Sequence, residues 1–237
     1  MMYVIAGFAI WGLGWLLNLY LANSKWSDYR AMNIAVPLIF GLTVLLLWEC
    51  FVIGFDVNPV FLPRPSDIVL RMAIEMPRLW ADFVQTIVKG ALTGYILGGL
   101  AAFAIAVLAD RSEFLTSGVL PVGSFMAALP IVGIAPIFVK WFGSDWESKA
   151  AVVAVMVFFP ILVNVVAGMR DTTSMQRDLM RTYGAGYWPT LLKLRLPAAM
   201  PFIFNGLKVA TTLSLIGAIV AEFFGSPTVG MGFRIST

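Results

Sequence analysis

Six stretches of this 237-residue chain are long and apolar enough to cross a membrane; they lie near 2–22, 32–54, 84–108, 116–139, 149–169 and 202–224. Each supplies about the 20 apolar residues needed to traverse ~30 Å of hydrocarbon. With 60% hydrophobic and only 12% charged residues, and a mean hydropathy of +0.89, the chain falls well below the quarter or so of charged residues that covers a water-soluble domain. Inside a bilayer every backbone polar group must be paired within the protein, so the expected fold is an all-α, polytopic transmembrane helix bundle with about six spans. The first run has the position of a signal peptide. Its length and the absence of Lys or Arg ahead of it favour a retained span.

The same composition narrows the chemistry. There is no His, and the single Cys, Cys50, lies in an apolar run, which removes the commonest metal ligands, disulfides and His-dependent nucleophiles together. No Gly-rich Walker A loop is present, so the chain is not itself a P-loop ATPase. The net charge of +3, without a dense Lys/Arg run, gives no footprint for nucleic acid. Sidedness follows from the basic residues. Lys25 and Arg30, Arg111, and Arg170, Arg177, Arg181, Lys193 and Arg195 fall in alternate connections, all expected in the cytoplasm. The connections 55–83 and 140–148 and the segment 225–237 are then outside, as is the N-terminus.

Within the third span Gly90, Gly94, Gly98, Ala102 and Ala106 recur every four residues, a face that admits another backbone closely, either inside the bundle or between subunits. The fourth span holds Pro121, Pro130 and Pro136 and is expected to be kinked or broken, as a structural helix or one lining a pathway. Met126, Pro130 and Pro136 are its pathway candidates. Four ionisable residues lie within spans: Glu49, Lys89 and Glu222 toward the outer leaflet, and Lys208 toward the cytoplasm. The lysines can snorkel. The shorter carboxylates cannot, so Lys89 is expected to pair with Glu49 or Glu222, and all three are gate candidates.

The connection 170–201 reads RDTTSMQRDLMRTYGAGYWPTLLKLRLPAAMP, too long for a simple turn and too polar for a span. A short helix is expected over Asp178–Tyr183, stopped by Gly184 and Gly186. An amphipathic stretch over residues 188–196 follows and lies along the membrane surface, with Pro197 and Pro201 ending it before the next span. Such a loop is either a cytoplasmic handle for a partner or an interfacial anchor.

Its residues resemble the cytoplasmic signature of ABC-importer permeases: Glu-Ala-Ala, three residues, Gly, nine residues, then Ile-x-Leu-Pro. Here Asp178-Leu179-Met180 occupies the triplet, Gly184 follows at the right distance, and Leu194-Arg195-Leu196-Pro197 closes the motif. Asp replaces Glu, and both alanines are replaced by bulkier residues. FLPRPSDI at 61–68, LPIVGIAPIFVKWFG at 129–143, SKAAVVAVMVFFPILVNVVAGMR at 148–170 and AEFFGSPTVGMG at 221–232 are similar, in order, to the permeases for nitrate, taurine and other sulfonates, bicarbonate and thiamine-precursor pyrimidines.

The resemblance implies the type I importer architecture, with an extra N-terminal span over residues 1–31 and a permease domain over 32–237. The family's closing span is expected beyond Gly232, so the sequence, stopping at Thr237, is expected to be truncated. It further implies a multi-pass protein of the bacterial inner membrane, paired as a homodimer. Two copies of a cytoplasmic ABC ATPase and a periplasmic or lipid-anchored binding protein complete the importer. Cargo would be a small polar or anionic solute, and the chain would need no cofactor and perform no catalysis. Asp178, Arg181, Gly184, Ala185, Gly186, Leu194, Leu196 and Pro197 would carry the coupling to the ATPase. An ion-gradient-driven secondary transporter, or a purely structural membrane subunit, is the rival class. A secondary transporter would call for inverted repeats, which the sequence does not display.

Overall fold

The computed structural model describes residues 1–24, 29–112, 117–118, 121–123, 131–225 and 228–236. Among them the elements are helical: α1 (Met2–Ala22), α2 (Arg30–Gly54), α3 (Pro65–Ile74), α4 (Met76–Ala109), α5 (Ile131–Phe142), α6 (Trp146–Arg170), α7 (Ser174–Thr182), α8 (Tyr187–Glu222) and α9 (Met231–Ser236). Five of these, α1, α2, α4, α6 and α8, are long and apolar enough to cross a membrane. The expected fourth span is represented by residues 117–118, 121–123 and α5; Met126 and Pro130 lie outside the described residues. Contacts divide the chain into two units, Met1–Pro77 and Arg78–Thr237.

In the first unit α1 and α2 pack antiparallel, and the glycines set how closely. A Cβ added at Gly7 would lie 2.8 Å from Cys50 Cβ, at Gly14 2.1 Å from Thr43 Cγ2, and at Gly54 2.5 Å from Val4 Cγ2. Van der Waals contact between near-bare backbones is the main force available between helices in lipid. Nearly everything else on both helices is apolar and faces outward, as expected of helices solvated by acyl chains. Glu49, half-buried near the end of α2, caps α3. Its two oxygens accept from Ser66 N at 3.0 Å and Ser66 Oγ at 2.7 Å, stabilising a helix start whose own N-cap, Arg64, has no capping side chain.

In the second unit α6 is the axis, buried at intervals from Ser148 to Met169 between α4 and α8. The four-residue repeat of α4 faces it. A Cβ at Gly94 would meet Val153 Cβ at 2.5 Å, and one at Gly98 would meet the Ala154 carbonyl oxygen at 2.4 Å. On the other side Gly168 and Gly206 admit α8, with Ala199 Cα and Asn164 Cβ as close neighbours. The small-residue stripe therefore serves packing within the bundle. Halfway along, Asn205 Nδ2 donates to Asn164 Oδ1 at 3.0 Å, and Tyr95 Oη donates to the Leu207 carbonyl at 3.2 Å. Each satisfies a polar group that lipid could not.

One expectation about the loop is corrected. Pro197 and Pro201 do not end a surface helix: α8 runs without a break for 36 residues from Tyr187 to Glu222. At 1.5 Å per residue this is about 54 Å, well beyond the hydrocarbon thickness. The second half of the loop is thus a continuation of the last long span. The reason is local. Residues Leu191–Arg195 are π-helical, and the wider register just ahead of Pro197 relieves the crowding that a proline ring imposes on the preceding turn. A second π-helical stretch, Val84–Leu92, interrupts α4.

Candidate functional site

The loop end is built on α7. Thr173 Oγ1 accepts from Gln176 N at 3.2 Å, and the Gln176 side chain accepts from Thr173 N at 3.0 Å. This reciprocal cap starts the helix at Ser174, four residues before the expected start at Asp178. The end is a Schellman turn: Ala185 N donates to the Met180 carbonyl and Gly184 N to the Arg181 carbonyl, both at 2.9 Å. Gly184 has φ +69°, the left-handed region that a side chain enters only at a cost of about 1–2 kcal/mol. Open space surrounds it, so the constraint is the backbone and not crowding.

Met175, Leu179 and Tyr183, spaced by four, present an apolar stripe that is 81%, 56% and 80% exposed. Asp178 and Arg181 flank it as an exposed pair at 3.4 Å, worth little to stability in that setting. Arg177, Arg181, Ala185, Gly186, Tyr187, Thr190 and Arg195 surround a cavity of about 220 Å³ behind the helix. Leu196, half-buried, lines an adjoining apolar cavity of about 420 Å³ with Trp188, Leu191 and Phe103. Leu194 is half-buried and Pro197 exposed.

Behind the loop is a charged knot that the sequence reading missed. Arg195 Nη1 donates to Asp110 Oδ2 at 2.7 Å and Nη2 donates to Asp110 Oδ1, while Nε donates to the Met169 carbonyl at 3.2 Å. The Tyr187 hydroxyl lies 3.1 Å from Asp110 Oδ2 and 3.2 Å from the Val107 carbonyl. Arg111 stacks over Tyr187 and Trp188 at 5.1 and 5.3 Å. The only sequence signal was an acid placed directly after an apolar run.

At the opposite end of the same helices, Asp82 and Thr86 of α4 hold the segment that enters α9. Asp82 Oδ1 accepts from Gly230 N at 2.7 Å and Oδ2 from Arg234 Nε at 2.8 Å. Thr86 Oγ1 accepts from Met231 N at 2.8 Å and donates to Glu222 Oε1 at 2.7 Å, and Glu222 Oε2 accepts from Gly232 N at 2.7 Å. Lys149 Nζ donates to the carbonyls of Ser144 and Gly225. Gly230, at φ +137°, and Gly232 leave room for the carboxylate, since a Cβ on either would lie within 3.0 Å of Glu222. The intramembrane carboxylate Glu222 was the feature of this site legible in the sequence, while Asp82 and Thr86 were not singled out.

The expected pairing of Lys89 with Glu222 is therefore replaced. Glu222 is buried and bonded to Thr86 and Gly232, and Lys89 is exposed. Both oxygens of Glu49, in the first unit, are engaged by Ser66. Lys89 instead borders a cavity of about 480 Å³ with Trp80, Val84, Gln85 and Asp145. The Trp146 N–H and the Gln85 amide hold the Asp145 carboxyl below its usual range, with Lys89 and Lys149 adding to the effect. Pro136 is exposed on α5, and Lys208 is exposed on α8.

Comparison with known proteins bears on both ends at once. The family model for "Binding-protein-dependent transport system inner membrane component" matches residues 68–237. A formylaminopyrimidine transport permease of Halalkalibacterium halodurans is 30% identical over 208 residues, covering 87% of this chain and 80% of its own. A riboflavin transport system permease of Chloroflexus aurantiacus is 28% identical over 211 residues, 88% and 77% of the two chains. A bicarbonate transport system permease of Synechococcus elongatus is 28% identical over 220 residues, 89% and 79%.

Proposed function

The chain belongs to the binding-protein-dependent transport system inner-membrane components, the permease subunits of ATP-driven ABC importers, and on that premise we propose that α7 is the element through which its ATPase drives it. It is a multi-pass inner-membrane protein, and its family works with an ATPase and a substrate-binding protein. The single observation that carries the proposal is the exposed stripe Met175, Leu179 and Tyr183 on a helix capped at both ends. A short rigid helix whose apolar face has no cover among the described residues fits a groove on a partner. Asp178 and Arg181 supply the polar contacts at its rim. Gly184, Ala185 and Gly186 set the turn that returns the chain to the bundle, and Leu194, Leu196 and Pro197 seat the start of α8.

Two copies of this chain would enclose the pathway, with two ATPases beneath and a periplasmic or lipid-anchored binding protein outside. The chain itself performs no reaction on its cargo. The cavity at Lys89 is our candidate for the outer mouth of the pathway, and Pro136 on α5 remains a pathway candidate beside Met126 and Pro130, which lie outside the described residues. Glu222 supports the second unit by holding the backbone at Gly232, while Glu49 holds the start of α3 in the first unit. The cargo class that fits is a small polar or anionic solute. Relatives of nearly equal identity are named for a pyrimidine, riboflavin and bicarbonate, which supports placing selectivity mainly in the binding protein.

Replacing Gly184 with Val forces a branched side chain into φ +69° and should abolish ATP-dependent uptake while membrane insertion stays normal. Uptake at the wild-type rate in that variant would remove the docking role from α7.

A further inference from the structure

The knot at Arg195 joins three helices whose sequence positions are far apart. Asp110 follows the last turn of α4, Met169 lies in the last turn of α6, and Arg195 lies in the first turns of α8. One guanidinium holds the first two together while being part of the third, with each of its three nitrogens engaged: two on the carboxylate and one on the carbonyl. The Asp110 side chain is 2% exposed and that of Arg195 16%. A bidentate arginine–carboxylate pair fixes orientation as well as distance. In the chain, the knot is separated from α7 only by the Schellman turn and the first turns of α8, which are π-helical at Leu191–Arg195.

Resting on the assignment of α7 as the docking element, we propose that Asp110 and Arg195 are positioning residues for transport: they convert a displacement of α7 into a concerted movement of α4, α6 and α8. Two features separate this from plain support. The knot lies at the loop end, while the same three helices are joined independently at their other end by Thr86, Glu222 and Lys149, so the bundle does not depend on Arg195 alone for assembly. Its geometry is also a lever's: with the other ends joined, a push on α8 at Arg195 reaches Asp110 and the Met169 carbonyl directly, beside the close packing of Gly168 on Ala199. Without those bonds the oriented charge link from α8 to α4 and α6 is gone, and only apolar packing and the Tyr187 hydroxyl follow a displacement of α7.

The test needs no knowledge of the cargo. In the permease–ATPase complex in vesicles, with Cys50→Ser as background, Val84→Cys places a thiol at the outer cavity. Its labelling rate by a membrane-impermeant maleimide is measured without nucleotide and after trapping with Mg-ATP and vanadate. With Asp110 and Arg195 intact, the two rates should differ about tenfold, within the usual range of coupling between sites. In the double variant Asp110→Asn with Arg195→Met, no buried charge is left unpaired, so the thermal midpoint and ATPase co-purification should stay close to the parent. The labelling rate should then be the same in both nucleotide states. Arg195→Lys, which keeps the charge but loses the bidentate fork, should dock normally and lose most of the difference. A double variant or a lysine variant that docks and keeps the full labelling response would overturn the proposal. A parent permease from which no ATPase co-purifies would instead strike at the docking role of α7.

Discussion

Glu222 is 2% exposed in a helix that crosses the membrane, a placement that requires every lone pair on its carboxylate to be used. Thr86 and the Gly232 N–H use two of them, and the glycines at 230 and 232 provide the space. Glu222→Gln keeps the size but turns one acceptor into a donor facing either the Gly232 N–H or Thr86. It should cost about 1–3 kcal/mol, read as a lower thermal midpoint in detergent, whereas Glu222→Asp should be hurt by lost reach. An unchanged midpoint for Glu222→Gln would mean that the carboxylate's bonds to α9 and α4 contribute nothing. Sequence reading recognised Glu222 as expensive and offered Lys89 as a partner for it or for Glu49; in the structure Glu222 bonds to Thr86 and Gly232. An isolated charge in a span announces its need for a partner, and only neighbouring helices say which one.

At the scale of single helices, periodicity was a good guide. The stripe Gly90, Gly94, Gly98, Ala102 and Ala106 is buried against α6, as expected for close-packed membrane helices. Gly98→Leu would drive a side chain into the Ala154 backbone carbonyl, 2.4 Å from an added Cβ, where no rotamer can escape. We expect a destabilisation of about 3 kcal/mol or more, seen as loss of folded protein in size-exclusion profiles. Leu100→Ala, on an exposed position of the same helix, should leave the profile unchanged. The start of α7 and the reach of α8 were harder to read. The first depends on a cap reaching three residues forward from Thr173. The second depends on a π-helical register that no apolar pattern encodes, and prolines that usually end a helix were taken at face value.

For the molecule as a whole, the orientation of the spans carries the functional argument. The ends of α4 and α6 and the start of α8 meet at Arg195, while the opposite ends meet around Thr86, Lys149 and Glu222. Alternation of this kind, with the basic loop 170–201 at the Arg195 end, supports the proposed cytoplasmic placement of α7. A cysteine at Met175 should accordingly react with an impermeant thiol reagent only in inside-out vesicles, and one at Trp141, at the end of α5, only in right-side-out vesicles. The reverse pattern would invert the topology and the site of ATPase docking with it.

The length of the apolar runs, the side on which the basic residues fall and the spacing Asp178, Gly184, Pro197 are properties of the chain read in order. They were enough to determine a multi-pass helical protein and to single out the loop that distinguishes it, while the family came from the resemblance of ordered sequence blocks to importer permeases. They are legible because bilayer thickness and backbone satisfaction act on contiguous residues. The pairings that hold the bundle are of another kind. Asp110 meets Arg195 85 positions later, and Asp82 meets Gly230 148 positions later. Which face each helix turns to its neighbours, and how a π-helical turn rotates that face, decides these contacts. That rotation exists only once α4, α6 and α8 have packed.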